Sequence, residues 1–293
     1  MVKIAAIGLG GYSFFFDVDH FHAEGETLHA AALRDEAGGK GYNQAVAAAR
    51  LGAAVSFLQA AGADSFADEC EHTLQEEGVR PFVARKPGAR TALASILTDR
   101  AGRNRATVYA GAALEEEDVE AFSGEIAKAE ILLLQNEVPE EVNARAVALA
   151  ARHGTRVFYN PAPARSLPPA YYAQAEAFTP NEREAEALDL TACRSAVVTC
   201  GKKGALLIEE GKREMLPAFD AAAVDTTGAG DTFHAAFAVA RGEGRPMRES
   251  AAFAIVAAGL SVTRSGVMGA LPRRAEVDAA LPGYLATHPA LFG

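Results

Sequence analysis

The chain has 293 residues and a formal charge of −10, because 38 acidic side chains outnumber 28 basic ones. A hydrophobic share of 49% is enough for a packed core and excludes a disordered chain. The acidic balance argues against a nucleic-acid or membrane-surface binder, which would present a basic face, and no apolar run approaches the roughly 20 residues of a membrane span. The length fits one large domain or two small ones.

The three cysteines, Cys70, Cys193 and Cys200, are odd in number and lack CxxC spacing. This pattern predicts free thiols in a reducing compartment rather than a disulfide framework or a zinc site. The N-terminus also lacks the layout of a signal peptide. The sequence therefore predicts a cytoplasmic protein.

In the first third of the chain, short apolar runs predict strands and helically spaced apolar residues predict helices. Strands are predicted at residues 2–7 and 55–59, helices at 43–51 and 68–77, and a hairpin at 91–98 and 106–110 around the turn 99–104. The hairpin is richer in β-forming residues than its surroundings, which indicates a small β-rich insert.

From residue 115 onward, predicted strands and helices alternate regularly. Helices are predicted at residues 115–127, 139–152, 182–188, 230–240 and 248–263, and strands at 131–135, 156–159, 196–200 and 205–209. This alternation indicates a parallel sheet that is covered on both faces. We therefore predict one α/β domain with the β-rich insert in its first third.

The segment V-D-T-T-G-A-G-D-T-F at residues 224–233 is the most informative for chemistry. Gly228, Ala229 and Gly230 stand directly before a helix, where successive N–H groups and the helix N-terminus can bind an anion. Asp231 in the same turn suits a group that accepts a proton from a hydroxyl while the N–H groups stabilise a phosphoryl group. A glycine-rich helix start with Asp231 as a capping residue explains the local pattern equally well.

A second segment, G-G-K-G-Y-N at residues 38–43, leads into a predicted helix. It is not a Walker A loop, since the glycine spacing is wrong and no Ser or Thr follows the lysine. The paired glycines permit close approach of a small ligand, and Lys40 and Asn43 offer groups that can hold hydroxyls. A flexible turn before a helix is the alternative.

A third segment, T-P-N-E-R-E at residues 179–184, follows a predicted strand end. Its Asn and two acids suit either a helix cap or a water-mediated hold on Mg²⁺, which keeps several waters in nucleotide sites.

Taken together and in this order, the three segments resemble the ribokinase (PfkB) family of sugar and nucleoside kinases. The stretch G-G-K-G-Y-N-Q-A-V-A-A-A-R-L-G-A from Gly38 is similar to the family's N-terminal signature, and the segment from Val224 is similar to its C-terminal signature. Residues 160–168 (N-P-A-P-A-R-S-L-P) and 179–186 (T-P-N-E-R-E-A-E) are similar to ribokinases proper. The resemblance runs nearly end to end.

This resemblance implies a ribokinase-like three-layer α/β sandwich with a mostly parallel central sheet and a small β-sheet lid. Residues 1–12, 38–88 and 112–293 would form the core that binds nucleotide and substrate, and residues 13–37 and 89–111 the lid. The implied reaction is ATP-dependent phosphorylation of a hydroxymethyl group of a sugar, with ATP and Mg²⁺ as cofactors. A homodimer formed through the lid is also implied.

The resemblance further implies roles for individual residues. Asp231 would be the general base, and the anion hole would comprise Gly228, Ala229 and Gly230. The substrate-binding positions would be Gly11, Ser13, Gly39, Lys40, Asn43, Glu137 and Asp231. The nucleotide-binding positions would be Asn181, Thr199, Gly201, Gly204, Gly228 and Gly230, with Glu184 holding Mg²⁺ through water. A monovalent cation such as K⁺ would be held by Asp225, Thr227, Ser261, Arg264 and Gly266.

Three departures from the family pattern modify these expectations. Ser13 stands where ribokinases carry a sugar-binding Asp, and Gly11 stands where they carry Asn. A carboxylate accepts hydrogen bonds more strongly than a serine. We therefore expect a substrate that has fewer hydroxyl groups than ribose, or one that bears a base. The link between residues 187 and 196 is too short for the family's further helix, so one face or edge of the sheet should be less covered. Ala270 replaces a serine of the cation loop; a backbone ligand would survive this change and a hydroxyl ligand would not, so the sequence leaves K⁺ dependence open.

The sequence leaves other functions open. A nucleoside kinase would stack its substrate's base on residues 14–16, and a phosphosugar kinase would use Arg103 or Arg105. A protein that kept the fold but lost turnover would be a non-catalytic sugar-binding regulator. His234, one turn beyond Asp231, is predicted to pack on its helix rather than touch the site.

Overall fold

A computed structural model describes residues 1–292 of the chain. The larger of its two sheets has nine strands, in the spatial order β13 (Lys212–Leu216), β12 (Ala205–Glu209), β11 (Ser195–Thr199), β10 (Ala175–Phe178), β9 (Arg156–Asn160), β8 (Ile131–Gln135), β1 (Lys3–Ile7), β4 (Ala54–Ala61) and β5 (Val79–Arg85). Strand β12 is antiparallel to both of its neighbours, and the other pairs are parallel. The predicted mostly parallel α/β class is therefore confirmed.

Strand β1 lies inside this sheet, and the chain extends the sheet from it in both directions. Strands β4 and β5 lie on one side of β1, whereas β8, β9, β10 and β11 follow on the other. The reversal of strand order falls between β1 and β8, and ligands of open α/β sheets bind outside the carboxyl ends of the strands at such a point. The loops that follow β1, β8, β9, β10 and β11 are therefore the place to look for a site.

The small sheet has four strands, in the order β3 (Ala32–Gly38), β2 (Gly11–Asp17), β6 (Ala92–Thr98) and β7 (Asn104–Tyr109). The hairpin of β6 and β7 confirms the predicted β-rich insert, and β3 joins it from a charged stretch for which no strand was predicted. Ser13 pairs directly with Glu36, so these two side chains lie on one face of the small sheet. Tyr12 and Phe14 lie on the opposite face.

Helices cover both faces of the large sheet and complete three layers. The helices are α1 (Lys40–Arg50), α2 (Ser65–Glu76), α3 (Glu116–Lys128), α4 (Glu140–His153), α5 (Pro169–Gln174), α6 (Glu182–Ala185), α7 (Ala229–Gly242), α8 (Met247–Ser261), α9 (Arg274–Ala286) and α10 (Pro289–Phe292). Helices α1, α2, α7, α8 and α9 share one apolar core with the sheet, and α3, α4 and α5 share the other. Within residues 1–292, none of these helices is long and apolar enough to cross a membrane.

Two helices begin earlier than the apolar spacing predicts. Helix α1 starts at Lys40 rather than at residue 43, because Gly39 takes a φ of 115° that suits glycine and turns the chain from β3 directly into the helix. Helix α2 starts at Ser65 because the Asp64 side chain accepts the N–H of Ala67 at 3.1 Å. The earlier start of α1 places the whole segment K-G-Y-N-Q in its first two turns.

The short link before β11 contains no helix beyond α6, as predicted. Helix α6 ends at Ala185 instead of residue 188, and the chain then reaches Ser195 through turns. Leu188, Leu190 and Cys193 from this link are partly buried against the same core as α3 and α4. Loop side chains therefore cover this part of the sheet in place of a helix.

Candidate active site

Asp231 lies in the first turn of α7, with 5% of its surface exposed. Its two carboxylate oxygens accept one hydrogen bond each from α1: Oδ2 from Asn43 Nδ2 and Oδ1 from Gln44 Nε2, both at 3.0 Å. These bonds fix the orientation of the carboxylate. They also join the first helix of the chain to a helix almost 190 residues later, so the segments G-G-K-G-Y-N and G-A-G-D meet in space.

Gln44 is held in turn by the ends of two strands. Its Oε1 accepts Nε2 of Gln135 at 2.6 Å, and its Nε2 also approaches Oδ1 of Asn160 at 3.3 Å. The side-chain amide of Gln44 therefore has a fixed orientation, with its donor toward Asp231. Gln44, Gln135 and Asn160 are buried residues that sequence reasoning did not assign to the site; the position of Gln44 directly after Asn43 was the available signal.

Lys40 is the basic group of the site. The nearby carboxylate of Asp231 raises the pKa of Lys40, with further contributions of the same sign from Glu137 and Glu184. The main-chain N–H of Lys40 also donates to Glu137 Oε2 at 2.8 Å. Lys40 is thus a permanent cation among three acidic side chains.

Burial dominates the titration of two of these acids. It raises the pKa of Asp231, although Lys40 and the amides of Asn43 and Gln44 act in the opposite direction. Burial likewise raises the pKa of Glu137 against the effect of the Lys40 amide and ammonium. A carboxylate whose pKa is raised toward neutrality is better suited to accept a proton, because basicity rises with pKa.

The residues before Asp231 form a turn with the geometry of an anion site. Gly228 adopts a left-handed φ of 76°, and i to i−4 bonding in α7 begins with the N–H of Thr232, which donates to the Gly228 carbonyl at 2.9 Å. The amides of Gly230 and Asp231 precede that bond, at the helix end where N–H groups lack intrahelical acceptors. This turn, residues 228–230, therefore presents the positive end of a helix to an anion, with the amides of Gly230 and Asp231 as donors, whereas the N–H of Ala229 donates to the Thr226 carbonyl at 3.3 Å.

A cleft of about 640 Å³ runs to this turn from the edge of the sheet. Thr199, Gly201 and Gly204 line it together with Ala229 and Gly230. At Gly204 a Cβ would lie 2.0 Å from the carbonyl oxygen of residue 216, so this lining requires glycine. The cleft thus brings most of the predicted nucleotide-binding positions to one surface, with Asp231 buried next to it.

Part of the cleft is apolar. Phe219, Ile255, Ala258 and Val262 line it. Phe219 packs on Gly259, where a Cβ would lie 2.7 Å from the phenyl side chain. The dimensions and apolar lining suit a flat aromatic base, and the sequence analysis did not identify these residues.

Asn181 and Glu184 form a reciprocal cap at the start of α6. The N–H of Glu184 donates to Asn181 Oδ1, and the N–H of Asn181 donates to Glu184 Oε2, both at 2.8 Å. The capping alternative for this segment is therefore present in the structure. Glu184 also contributes to the raised pKa of Lys40, after Asp231 and Glu137.

The predicted cation positions lie on two adjoining loops. Asp225 Oδ2 accepts the N–H of Gly266 at 3.1 Å, and Asp225 Oδ1 accepts the N–H of Thr227 at 2.9 Å. Ser261 is buried and donates to its own helix, whereas the Arg264 side chain pairs with Glu276.

The small sheet presents Ser13 to the site. A Cβ added at Gly38 would lie 3.6 Å from Asn43 Oδ1 and 3.9 Å from Ser13 Oγ, which places both oxygens beside the G-G-K-G turn. Asn43 Oδ1 is buried and unpartnered among the described residues. A side chain at Gly11 would meet the Ala92 carbonyl oxygen at 2.5 Å, so position 11 can contribute only main chain.

The residues considered for the alternative substrates have other contacts. The guanidinium groups of Arg103 and Arg105 lie 5.5 and 4.3 Å from the centre of the Phe21 ring. Arg105 pairs with Leu97, which in turn pairs with Phe16 of β2. Arg105 therefore lies two strands away from β2, on the face of the small sheet opposite Ser13. Phe14 packs edge-on against Tyr12 and Phe66, also on that opposite side.

The sequence matches the model of the pfkB family carbohydrate kinases over residues 1–274. The chain belongs to the pfkB family. Among its relatives, the ribokinase of Bacillus subtilis is 35% identical over 290 residues, which cover 95% of this chain and 99% of that protein. The deoxyribokinase of Salmonella typhi is 34% identical over 293 residues, which cover 92% and 96%.

The fold of this pfkB protein is also that of a solved relative. The crystal structure of ribokinase from Thermotoga maritima superimposes with a TM-score of 0.87 at 32% identity, covering 96% of this chain and all of that one. The predicted family and ribokinase-like fold are confirmed, and the chain is an ATP-dependent sugar kinase.

Proposed function

We propose that Asp231 is the general base that takes the proton from a hydroxymethyl group of the sugar as its oxygen attacks the terminal phosphate of ATP. One observation carries the proposal: Asp231 is buried directly after Gly230 of the anion-binding turn, which lines the cleft, and amides of α1 orient both of its oxygens. In this position its carboxylate and the N–H groups of the anion-binding turn that remain available, those of Gly230 and Asp231, would contact the same transferring group.

Lys40, Asn43 and Glu137 are proposed to hold the sugar next to Asp231. Asn43 Oδ1 is an unpartnered acceptor for a sugar hydroxyl, and Lys40 supplies donors. Catalysis would then come from positioning and from charge stabilisation.

Glu184 offers carboxylate oxygens to Mg²⁺, which takes oxygen ligands while it keeps several waters. Glu184 would hold the ion through water, and the bound ion would neutralise phosphate charge. The carboxylate of Asp225 already accepts three donors, from Thr227 and Gly266. A monovalent cation would therefore be held by main-chain carbonyl groups of residues 225, 227, 261, 264 and 266.

The proposed substrate is a free pentose, with 2-deoxyribose favoured over ribose. Ser13 cannot accept the two strong hydrogen bonds of a carboxylate, and Gly11 has no room for a side chain, so this end of the site demands fewer hydroxyls. The relatives include both a ribokinase and a deoxyribokinase at similar identity. Arg105 and Phe14 lie on the face of the small sheet opposite Ser13, which disfavours a phosphosugar held by Arg105. Phe15 shares the face of Ser13, so the nucleoside alternative keeps one of its three aromatic residues.

A coupled ADP-release screen tests this assignment. D-ribose, 2-deoxy-D-ribose, ketohexoses, nucleosides and sugar phosphates are compared at fixed Mg-ATP, with and without K⁺. We expect the highest kcat/KM for a pentose, with 2-deoxyribose at least equal to ribose. A higher value for a nucleoside or a sugar phosphate would show the substrate class to be wrong. Sugar binding without ADP release from any substrate would favour the regulator.

We further propose that the small sheet is a lid, formed by residues 13–37 and 89–111 over a core of residues 1–12, 38–88 and 112–293. Two copies would pair through its outer face, where Leu33 is 57% and Tyr109 54% exposed. Light scattering tests the dimer. Leu33→Asp should halve the measured mass, whereas Met215→Asp, at an exposed position on the large sheet, should not. A monomeric wild type would contradict the dimer.

A cytoplasmic location is supported by the use of ATP and by three cysteines that are all free. Cys70 and Cys200 are buried, which fits structural thiols.

A further inference from the structure

Glu36, on strand β3 of the small sheet, contacts a loop near the anion-binding turn. Its Oε1 accepts the main-chain N–H of Val267 and its Oε2 that of Met268, both at 3.0 Å. A carboxylate bound to two consecutive amides makes two charge-assisted hydrogen bonds. We infer that Glu36 is a positioning residue for phosphoryl transfer: it couples the small sheet to the loop of residues 264–268 and, through that loop, to the anion-binding turn.

The loop touches the turn on two sides. A Cβ added at Gly228 would lie 2.7 Å from Val267 Cγ1, so the Val267 side chain occupies the space directly beside the left-handed glycine. The next contact runs through Gly266, whose N–H donates to Asp225, and Asp225 in turn accepts the N–H of Thr227. A displacement of this loop therefore changes the packing of Val267 beside Gly228. It also changes the position of Asp225, which accepts the N–H of Thr227.

The same loop is held from the other side by the core. Arg50, at the end of α1, donates to the carbonyl groups of Met268 at 2.7 Å and of Leu271 at 2.8 Å, and it is itself paired with Glu77. Residues 267 and 268 thus lie between a contact from the core and a contact from the small sheet. Because Glu36 supplies the second contact, the turn would be fully supported when the small sheet lies over the substrate.

Glu36→Gln tests the role with little change in size. The amide NH₂ group cannot accept an N–H, so one of the two bonds is lost. We expect kcat to fall about tenfold, as for the loss of a hydrogen bond to a charged group, while KM for ATP and sugar stays within about threefold. Asp35→Asn is the matched control: it removes the same charge from the same strand, but Asp35 faces away and accepts the Tyr12 hydroxyl at 2.8 Å. Its kcat should stay within about twofold of wild type.

Hydrogen exchange supplies a readout that does not need turnover. In Glu36→Gln the amides of residues 267 and 268 should exchange at least tenfold faster than in wild type, and in Asp35→Asn they should not. If Glu36→Gln does not fold, Val267→Ala is the second test variant. It keeps Glu36 but removes the side-chain contact with Gly228, so its kcat should also fall.

The kinetic arm rests on the proposed function, whereas the exchange arm does not. If the wild type turned over no sugar, the proposed reaction would be wrong. The hydrogen-exchange result would still show whether Glu36 holds the amides of residues 267 and 268. Unchanged exchange in Glu36→Gln, an equal loss of kcat in Asp35→Asn, or a normal kcat despite faster exchange would each overturn the inference.

Discussion

Asp231→Asn separates the proposed proton transfer from the architecture around it. The carboxylate accepts one amide on each oxygen, and asparagine has a single acceptor, so either Asn43 or Gln44 must lose its partner. Gln44 cannot turn its amide over without breaking its bond to Gln135. One lost hydrogen bond to a charged group costs about 1.5–3 kcal/mol of stability, but the variant also removes a buried charge, whose burial is unfavourable. The two effects oppose each other, so the free energy of unfolding should change by no more than about 2 kcal/mol.

The activity should change much more than the stability. Loss of a general base typically reduces the rate 10²–10⁴-fold, which is about 2.7–5.4 kcal/mol of barrier. ADP release at saturating ATP and sugar measures this loss, and calorimetry should give an ATP affinity within about threefold of wild type. Asp278→Asn, an exposed carboxylate on α9, is the control for charge removal. A folded Asp231→Asn protein that keeps more than about a tenth of the wild-type kcat would refute the assignment of the base.

Three further predictions follow from the site. Ser13→Asp should raise kcat/KM for ribose relative to 2-deoxyribose at least tenfold, because a carboxylate beside Asn43 adds strong acceptors; an unchanged ratio in the ADP-release assay would contradict the role of Ser13. Burial raises the pKa of Asp231, and the protonated acid cannot act as a base. We therefore expect kcat/KM to fall as the pH decreases, at pH values above the ordinary pKa range of an aspartate. A pH profile that stays flat down to pH 4 would contradict this expectation. Burial lowers the pKa of His234 to about 3. Between pH 3 and about 6.5 the unfolded chain therefore binds one more proton than the folded protein, and the free energy of unfolding increases with pH by about 1.4 kcal/mol per pH unit. His234→Asn should lower that slope by this amount in denaturant titrations from pH 4 to 6, and equal slopes would show that His234 is not buried in its neutral form.

The sequence was sufficient for elements whose pattern is set by burial. Strand β8 is an apolar run, as a strand covered on both faces requires, and helix α7 is mostly small and apolar, as a helix buried on all sides requires. Both are found close to the predicted positions. Strands at the edges do not have this pattern. Strand β5 is an outer strand that contains Pro81, and β13 is mostly exposed, so neither shows the apolar run of an inner strand.

The site was predictable where a motif is local and not where it depends on tertiary contacts. Asp231 and the turn before it can be identified from consecutive residues. Glu36 cannot, because its partners are more than 230 residues away and its own segment is a charged, half-exposed strand. Gln135 is at the end of an otherwise apolar strand, and only the fold brings its amide to Gln44.

The pairing of α1 with α7 has a consequence during synthesis of the chain. Tyr42, Ala45, Val46, Ala47 and Ala48 of α1 are fully buried, in the core that α7 and α8 complete. Asn43 leaves the ribosome 188 residues before Asp231, which at about 5–20 residues per second is roughly 10–40 s earlier. During that time the apolar side of α1 lacks the helix that covers it in the folded protein, and Asn43 lacks its hydrogen-bond partner. The contact between Asn43 and Asp231 can therefore form only after the start of α7 has been synthesised.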